Sequence, residues 1–149
     1  METFDLIKYI ILTVMLAITA YTDIKERKIK NMPVLIITAF ALAFMLIRLD
    51  TAMLSLIGLA VAAAVFVVTY ILSKGGLGEG DVKLAMAVGL YVGVFDFINI
   101  MLYALIYTVV AGVITAIVKR GNLKSTLPFA PFIFAGCITN IIYHFTNPM

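Results

Sequence analysis

Two aspartates in this sequence stand where chemistry is possible. Asp23 lies in Tyr21-Thr22-Asp23-Ile24-Lys25, where an apolar run gives way to a basic stretch. Asp81 lies in Gly78-Glu79-Gly80-Asp81-Val82-Lys83-Leu84, where a glycine-bearing connection gives way to another apolar run. Two carboxylates brought into one site cannot both ionise cheaply, so they share a proton. The ionised one then takes a proton from water while the protonated one donates to a carbonyl oxygen. That is general acid–base hydrolysis of an amide, with no metal and no covalent intermediate. Gly78 and Gly80 are expected to adopt positive φ and to let another chain approach closely. Asp81 is expected at the positive end of a helix dipole, and Lys83 to hold a charge or a substrate carbonyl near it. Each residue has a plainer reading as well. Asp81 would serve as an N-cap after a turn, Asp23 as an interfacial residue of a charged loop, and Lys83 as a side chain reaching to the membrane surface. Glu26 and Glu79 are read as solvated loop residues.

The elements that must position these groups follow from composition. Of 149 residues, 64% are hydrophobic and 13% charged, against about half apolar and a quarter charged in soluble domains. A chain this small cannot hide that much apolar surface in a water-covered core, so its outer face is expected to meet lipid. Six apolar segments are visible, at residues 6–21, 33–49, 52–72, 82–95, 97–118 and 127–145. About 20 residues of helix cross the hydrocarbon core, which predicts an all-α, polytopic membrane protein of six transmembrane helices, with a short fourth one. Asp50 and Asp96 are expected to cap the helices that follow two tight hairpins. The GxxxG pair of Gly89 and Gly93 is expected to pack helix 4, and Pro128 and Pro131 to shape the start of helix 6. No repeat or separate soluble domain is visible, so residues 1–149 read as one domain.

Charge sets the expected orientation. Lys25, Arg27, Lys28, Lys30, Lys74, Lys83, Lys119, Arg120 and Lys124 fall at three connections, residues 22–32, 73–81 and 119–126, or just beyond them. Only Lys8 and Arg48 fall at the opposite ends. Basic loops stay in the cytoplasm, so both termini are expected outside and both aspartates at the cytoplasmic face, at one depth. Glu2 and Asp5 stand where a signal peptide carries basic residues, so the first apolar run is expected to be retained. The basic residues gather at segment ends, as at a membrane surface rather than a nucleic-acid face. The lone Cys137 and lone His144 supply no zinc ligand set, so neither metal nor cofactor is expected. Cys137 reads as a small buried or lipid-facing side chain. Nothing in the sequence fixes an oligomeric state.

These motifs resemble a known family. Gly78-Glu79-Gly80-Asp81 is similar to the GxGD signature of intramembrane aspartyl proteases, in the form found in type IV prepilin peptidases. Asp23 followed by Ile29-Lys30-Asn31-Met32-Pro33 resembles their first motif, an Asp followed by Ile-Pro-Asn. Leu127-Pro128-Phe129-Ala130-Pro131-Phe132 resembles their late Pro-Phe-Gly-Pro-Phe segment, with Ala130 in place of Gly. The three occur in family order. Asn31-Met32-Pro33 departs from Ile-Pro-Asn, although Asn31 and Pro33 remain able to cap and start helix 2. The connection after helix 1 is short and lacks the Cys-rich zinc domain of larger, bifunctional members. The resemblance is therefore to the short, peptidase-only form serving Flp-type pili or archaeal filaments, and it carries no expectation of N-methylation.

The resemblance implies an aspartic endopeptidase that removes the leader of pilin-like precursors at the cytoplasmic membrane face. Asp23 and Asp81 would be catalytic, and Gly78, Gly80 and Lys83 would face the substrate. Basic leaders suit the negative cytoplasmic surface, with Glu26 and Glu79 as minor contacts. Two other classes compete with this reading. A transporter or channel would distribute carboxylates through the depth of its helices, and the helix middles here hold none. A non-enzymatic assembly factor would keep the motifs without cleavage. The orientation is testable first. On a Cys137→Ser background, single cysteines placed in the three basic connections are expected to resist impermeant thiol reagents in intact cells, while cysteines at Thr51 and Asn147 label. The reverse pattern would put the aspartates on the wrong side.

Overall fold

The structure is a computed structural model that describes residues 3–74, 76–118 and 128–146. Six helices account for nearly all of them: α1 (Thr3–Glu26), α2 (Asn31–Ile47), α3 (Leu49–Leu72), α4 (Glu79–Val92), α5 (Val94–Val118) and α6 (Ala130–Thr146). No strand occurs among the described residues. The all-α, six-helix expectation therefore holds. α1, α3 and α5 are long and apolar enough to cross a membrane, and α2 and α6 are shorter apolar helices of 17 residues each. α4 is the short helix, at 14 residues. The outward surface is apolar: Leu72, Val118 and Met53 are each more than 70% exposed. Lipid, not water, is the solvent that tolerates such a surface, and the chain is a multi-pass membrane protein.

The helices run past the apolar segments that announce them. α1 continues through Thr22 and Asp23 to Glu26, so the connection after it shrinks to Arg27–Lys30. Arg27 ends α1 with φ 51, and its N–H donates to the Asp23 carbonyl at 2.9 Å. That is a left-handed closure of the kind that satisfies a carbonyl at a helix C-terminus. Residue 127 and the basic connection before it, with Lys119, Arg120 and Lys124, lie outside the described residues, as does Asn147.

Four local expectations are corrected. Asp50 and Asp96 are not N-caps; Arg48 holds that position for α3, and Asp50 and Asp96 are the second residue of α3 and the third of α5. A carboxylate anywhere in the first turn meets the helix dipole, so the cap position is not required. Asp50 is paired with Arg48, Nε to Oδ1 at 3.3 Å. Asn31 does not cap α2 but is its first residue, after Lys30, and Pro33 sits third, where no intrahelical N–H is needed. Gly93 is not part of α4; it is the C-cap, at φ 86, and forms a one-residue joint to α5. Both glycines of the GxxxG pair nevertheless lie against α3, where a Cβ added to Gly58 would meet the backbone of Gly89 and of Gly93.

The chain forms two compact units. The first contains residues 1–27 and 99–149, and so holds α1, α6 and most of α5. There α1 packs on α6, burying Leu12 and Leu16 of α1 and Ile133 and Cys137 of α6. Tyr107 of α5 and Thr139 of α6 share a hydrogen bond of 2.8 Å, and Asn140 Nδ2 donates to Tyr9 Oη at 3.5 Å. Hydrogen bonds between helices help join them where lipid supplies no hydrophobic drive.

The second unit, residues 28–98, is built around α4, which packs on both α2 and α3. Its residues 84, 85 and 87–91 are buried. Small residues make this possible. A Cβ added to Gly58 of α3 would land on the carbonyl oxygen of Gly89, and one added to Gly89 would meet the Gly58 carbonyl and Ala62. On the α2 side, Phe44 meets Tyr91 edge-on at 5.6 Å. Gly58→Ala is therefore expected to destabilise the protein by about 1–3 kcal/mol, the usual overpacking range. Thermal unfolding in detergent checks this, with the exposed Leu56→Ala as a near-neutral control.

Candidate active site

Asp23 is held by the turn of helix that carries it and by a helix far away in sequence. Thr19, Thr22 and Asp23 share one face of α1, at spacings of three and four residues. All three are buried, Asp23 at 6% exposure. The two hydroxyls are engaged with the helix itself, Thr19 Oγ1 donating to the Met15 carbonyl at 2.8 Å and Thr22 Oγ1 to the Thr19 carbonyl at 3.0 Å. The carboxylate reaches outward instead. Its Oδ2 accepts the backbone N–H of Ala130, the first residue of α6, at 3.0 Å.

The segment around Ala130 explains why that N–H is available. The first N–H groups of a helix have no intrahelical partner. At α6, Pro131 has no N–H, and Phe132 and Ile133 donate to the Phe129 carbonyl at 3.0 and 3.3 Å. Ala130 remains, and Asp23 takes it. Ala130 is itself fully buried. The first and third motifs thus meet in one hydrogen bond. Sequence reasoning did not find this partner; the one signal was that Pro131 follows a small residue at an expected helix start.

Asp81 belongs to the second unit and is half-buried in the first turn of α4. It is not the N-cap. Gly78 is, with φ −70, and Gly80 is an ordinary helical residue, so the expectation of positive φ at these glycines is wrong. Their smallness has other uses. A Cβ on Gly78 would lie 3.1 Å from Asp81 Oδ2, so the carboxylate is folded back over Gly78. A Cβ on Gly80 would lie 2.8 Å from the Cβ of Ile29, a residue of the α1–α2 connection. The first residue of the Ile-Lys-Asn-Met-Pro segment therefore seats directly on the GxGD turn.

Glu26 and Glu79 are exposed, as expected of solvated residues. Lys83 is exposed as well, and its Nζ lies 3.8 Å from Glu79 Oε2, one turn back on α4. Cys137 is fully buried, and His144 stands against the Tyr9 ring at 6.2 Å between centroids. Among the described residues, no three of His, Cys, Asp and Glu converge as metal ligands would.

An all-helical chain with an apolar outer surface, a buried carboxylate at a helix end and a second one in the first turn of α4 falls in the class of polytopic membrane proteins. Residues 10–117 match the type IV leader peptidase family, and the chain belongs to that family. It is 29% identical over 140 residues to the prepilin leader peptidase/N-methyltransferase of Bacillus subtilis (strain 168). That likeness covers 93% of this chain and 56% of the relative, so the chain spans little more than half of that protein's length. No solved structure matches the chain.

The contact between Gly80 and Ile29 makes a specific test. Gly80→Ala forces two Cβ atoms together and is expected to cost about 1–3 kcal/mol of stability. Ile29→Ala keeps its Cβ and cannot relieve the clash, whereas Ile29→Gly can. The double variant Gly80→Ala, Ile29→Gly is therefore expected to unfold at a higher temperature than Gly80→Ala, Ile29→Ala. Equal melting of the two doubles would show that the glycine serves another purpose.

Proposed function

We propose that this protein is an aspartic endopeptidase that removes the leader peptide of type IV pilin-like precursors at the cytoplasmic face of the cell membrane. Asp23 and Asp81 are its catalytic pair, and Gly78 and Gly80 shape the turn that meets the substrate. Family membership supports the reaction class. The observation that carries the residue assignment is the hydrogen bond from Ala130 N–H to Asp23, because it joins two of the three motifs at a buried carboxylate. A residue merely sitting in a charged loop would be solvated. The bond occupies Oδ2, and Oδ1 takes no hydrogen bond from the described residues, so Oδ1 is the atom to hold water or the substrate carbonyl. Asp81, half-buried at the start of α4, supplies the second carboxylate. In this reading the two carboxylates divide the acid and base roles.

The scissile bond then lies where the substrate's apolar helix leaves the membrane and its basic leader enters the cytoplasm. In this orientation the start of α1 and the end of α6 are outside. A transporter has less support: Asp23 is the one buried carboxylate among the described residues, and it sits in the last turn of its helix rather than mid-membrane.

Five variants test the proposal, scored by cleavage of a co-reconstituted prepilin in liposomes, with thermal unfolding as the folding control. Asn is nearly isosteric with Asp but neither carries the charge nor exchanges the proton. Asp23→Asn and Asp81→Asn are each expected to abolish cleavage. The double variant should be no worse than either single, because groups acting as a unit are strongly non-additive. Glu26→Gln and Glu79→Gln should keep substantial activity. Near wild-type cleavage by a folded Asp81→Asn protein would return Asp81 to a structural role in the first turn of α4.

A further inference from the structure

Lys83 stands where two clefts of the second unit meet. The larger, about 440 Å³, lies among α2, α3 and α4, with Leu35, Leu59, Met86 and Leu90 on its walls and Asn31 and Lys83 as its polar members. Thr38 also lines it, but its hydroxyl donates to the Val34 carbonyl at 2.8 Å, so it presents little polarity. The smaller, about 200 Å³, lies beside Val67, Tyr70 and Val82, has Glu79 at its polar edge and shares Lys83 with the first.

The polarity of the larger cleft is graded along the helices. Asn31 is the first residue of α2 and Lys83 the fifth of α4, so both belong to N-terminal turns. Thr38 and Leu90 lie two turns farther along the same helices. The polar end is also the positive end. No carboxylate lines this cleft. Lys28 and Lys30 are exposed just before Asn31, and the N-terminus of α2 has no side-chain cap, which leaves its dipole facing outward. Lys83 is paired with Glu79, exposed and 3.8 Å away, a loose pair of the kind worth little at a surface.

One basic head group beside two clefts with largely apolar walls is the outline of a diacyl lipid. We infer that this site binds an anionic phospholipid, with its phosphate at Lys83, one acyl chain in the larger cleft and the second directed to the smaller. Charge selects the lipid class: a zwitterionic headgroup gains nothing net from Lys83, whereas an anionic one does. The site needs neither aspartate, and its occupation is measured without cleavage.

The chain has no tryptophan, so Leu35→Trp installs a single fluorescent reporter on the cleft wall, and Met86→Trp installs one from α4. Each protein is reconstituted in mixed vesicles of phosphatidylglycerol and phosphatidylcholine, with bromine on the acyl chains of one lipid or the other. Brominated phosphatidylglycerol is expected to quench as though bound about fivefold more tightly than phosphatidylcholine, the worth of one basic side chain at an anionic lipid surface. Lys83→Gln should abolish that preference, and Lys83→Arg should keep it. Equal quenching by the two lipids would mean unselective contact with surrounding bilayer and would overturn the inference. So would a preference that survives Lys83→Gln.

Discussion

A carboxylate buried at the end of a membrane helix must find a donor, and Asp23 finds it in the backbone of another helix. In an apolar surrounding an unsatisfied polar group is expensive, and so is an orphan N–H at a helix start. The bond between Asp23 and Ala130 removes both costs together. The rest of the first unit is consistent with this demand. Pro131 removes a donor that would otherwise need a partner, Phe129 accepts the next two, and the hydroxyls of Thr19 and Thr22 are turned to their own helix. What remains at the site is one carboxylate with one oxygen anchored.

The second unit answers a different constraint. A helix of 14 residues cannot present a full membrane-length surface, so α4 is wrapped by its neighbours. Wrapping brings backbones close, and Gly58, Gly89 and Ala62 are the residues that allow it. The same economy of size operates at the GxGD turn. Gly80 admits Ile29, and Gly78 admits the Asp81 carboxylate. Neither glycine is there for an unusual backbone angle.

The helices were legible in the sequence because lipid makes apolar length the dominant signal. Each of the six apolar segments reappears as a helix, with ends displaced by a few residues. The displacement is physical: a helix continues through polar residues such as Thr22 and Asp23 as long as its backbone bonds are made. Cap positions were not legible, because the dipole rewards Asp50, Asp81 and Asp96 at any place in a first turn. Both aspartates of the candidate site stood out by residue type and motif. The partner of Asp23 did not, since Ala130 contributes only a backbone N–H, and no side-chain chemistry advertises it across 107 residues.

The joint at Gly93 carries a consequence for how the length of this chain can vary. The Gly93 N–H donates back to the Gly89 carbonyl and the Gly93 carbonyl accepts from Phe97, at 3.1 and 3.0 Å, so hydrogen bonding passes almost uninterrupted from α4 into α5. One residue more at this joint would rotate the first turn of α5 by about 100° about its axis. Phe97, buried and within the same unit as α4, would swing away from its place. An insertion here is therefore as disruptive as a change in the core, whereas ordinary surface connections absorb added residues at little cost. The single residue at position 93 acts as a ruler, setting the rotational phase in which the first turn of α5 begins.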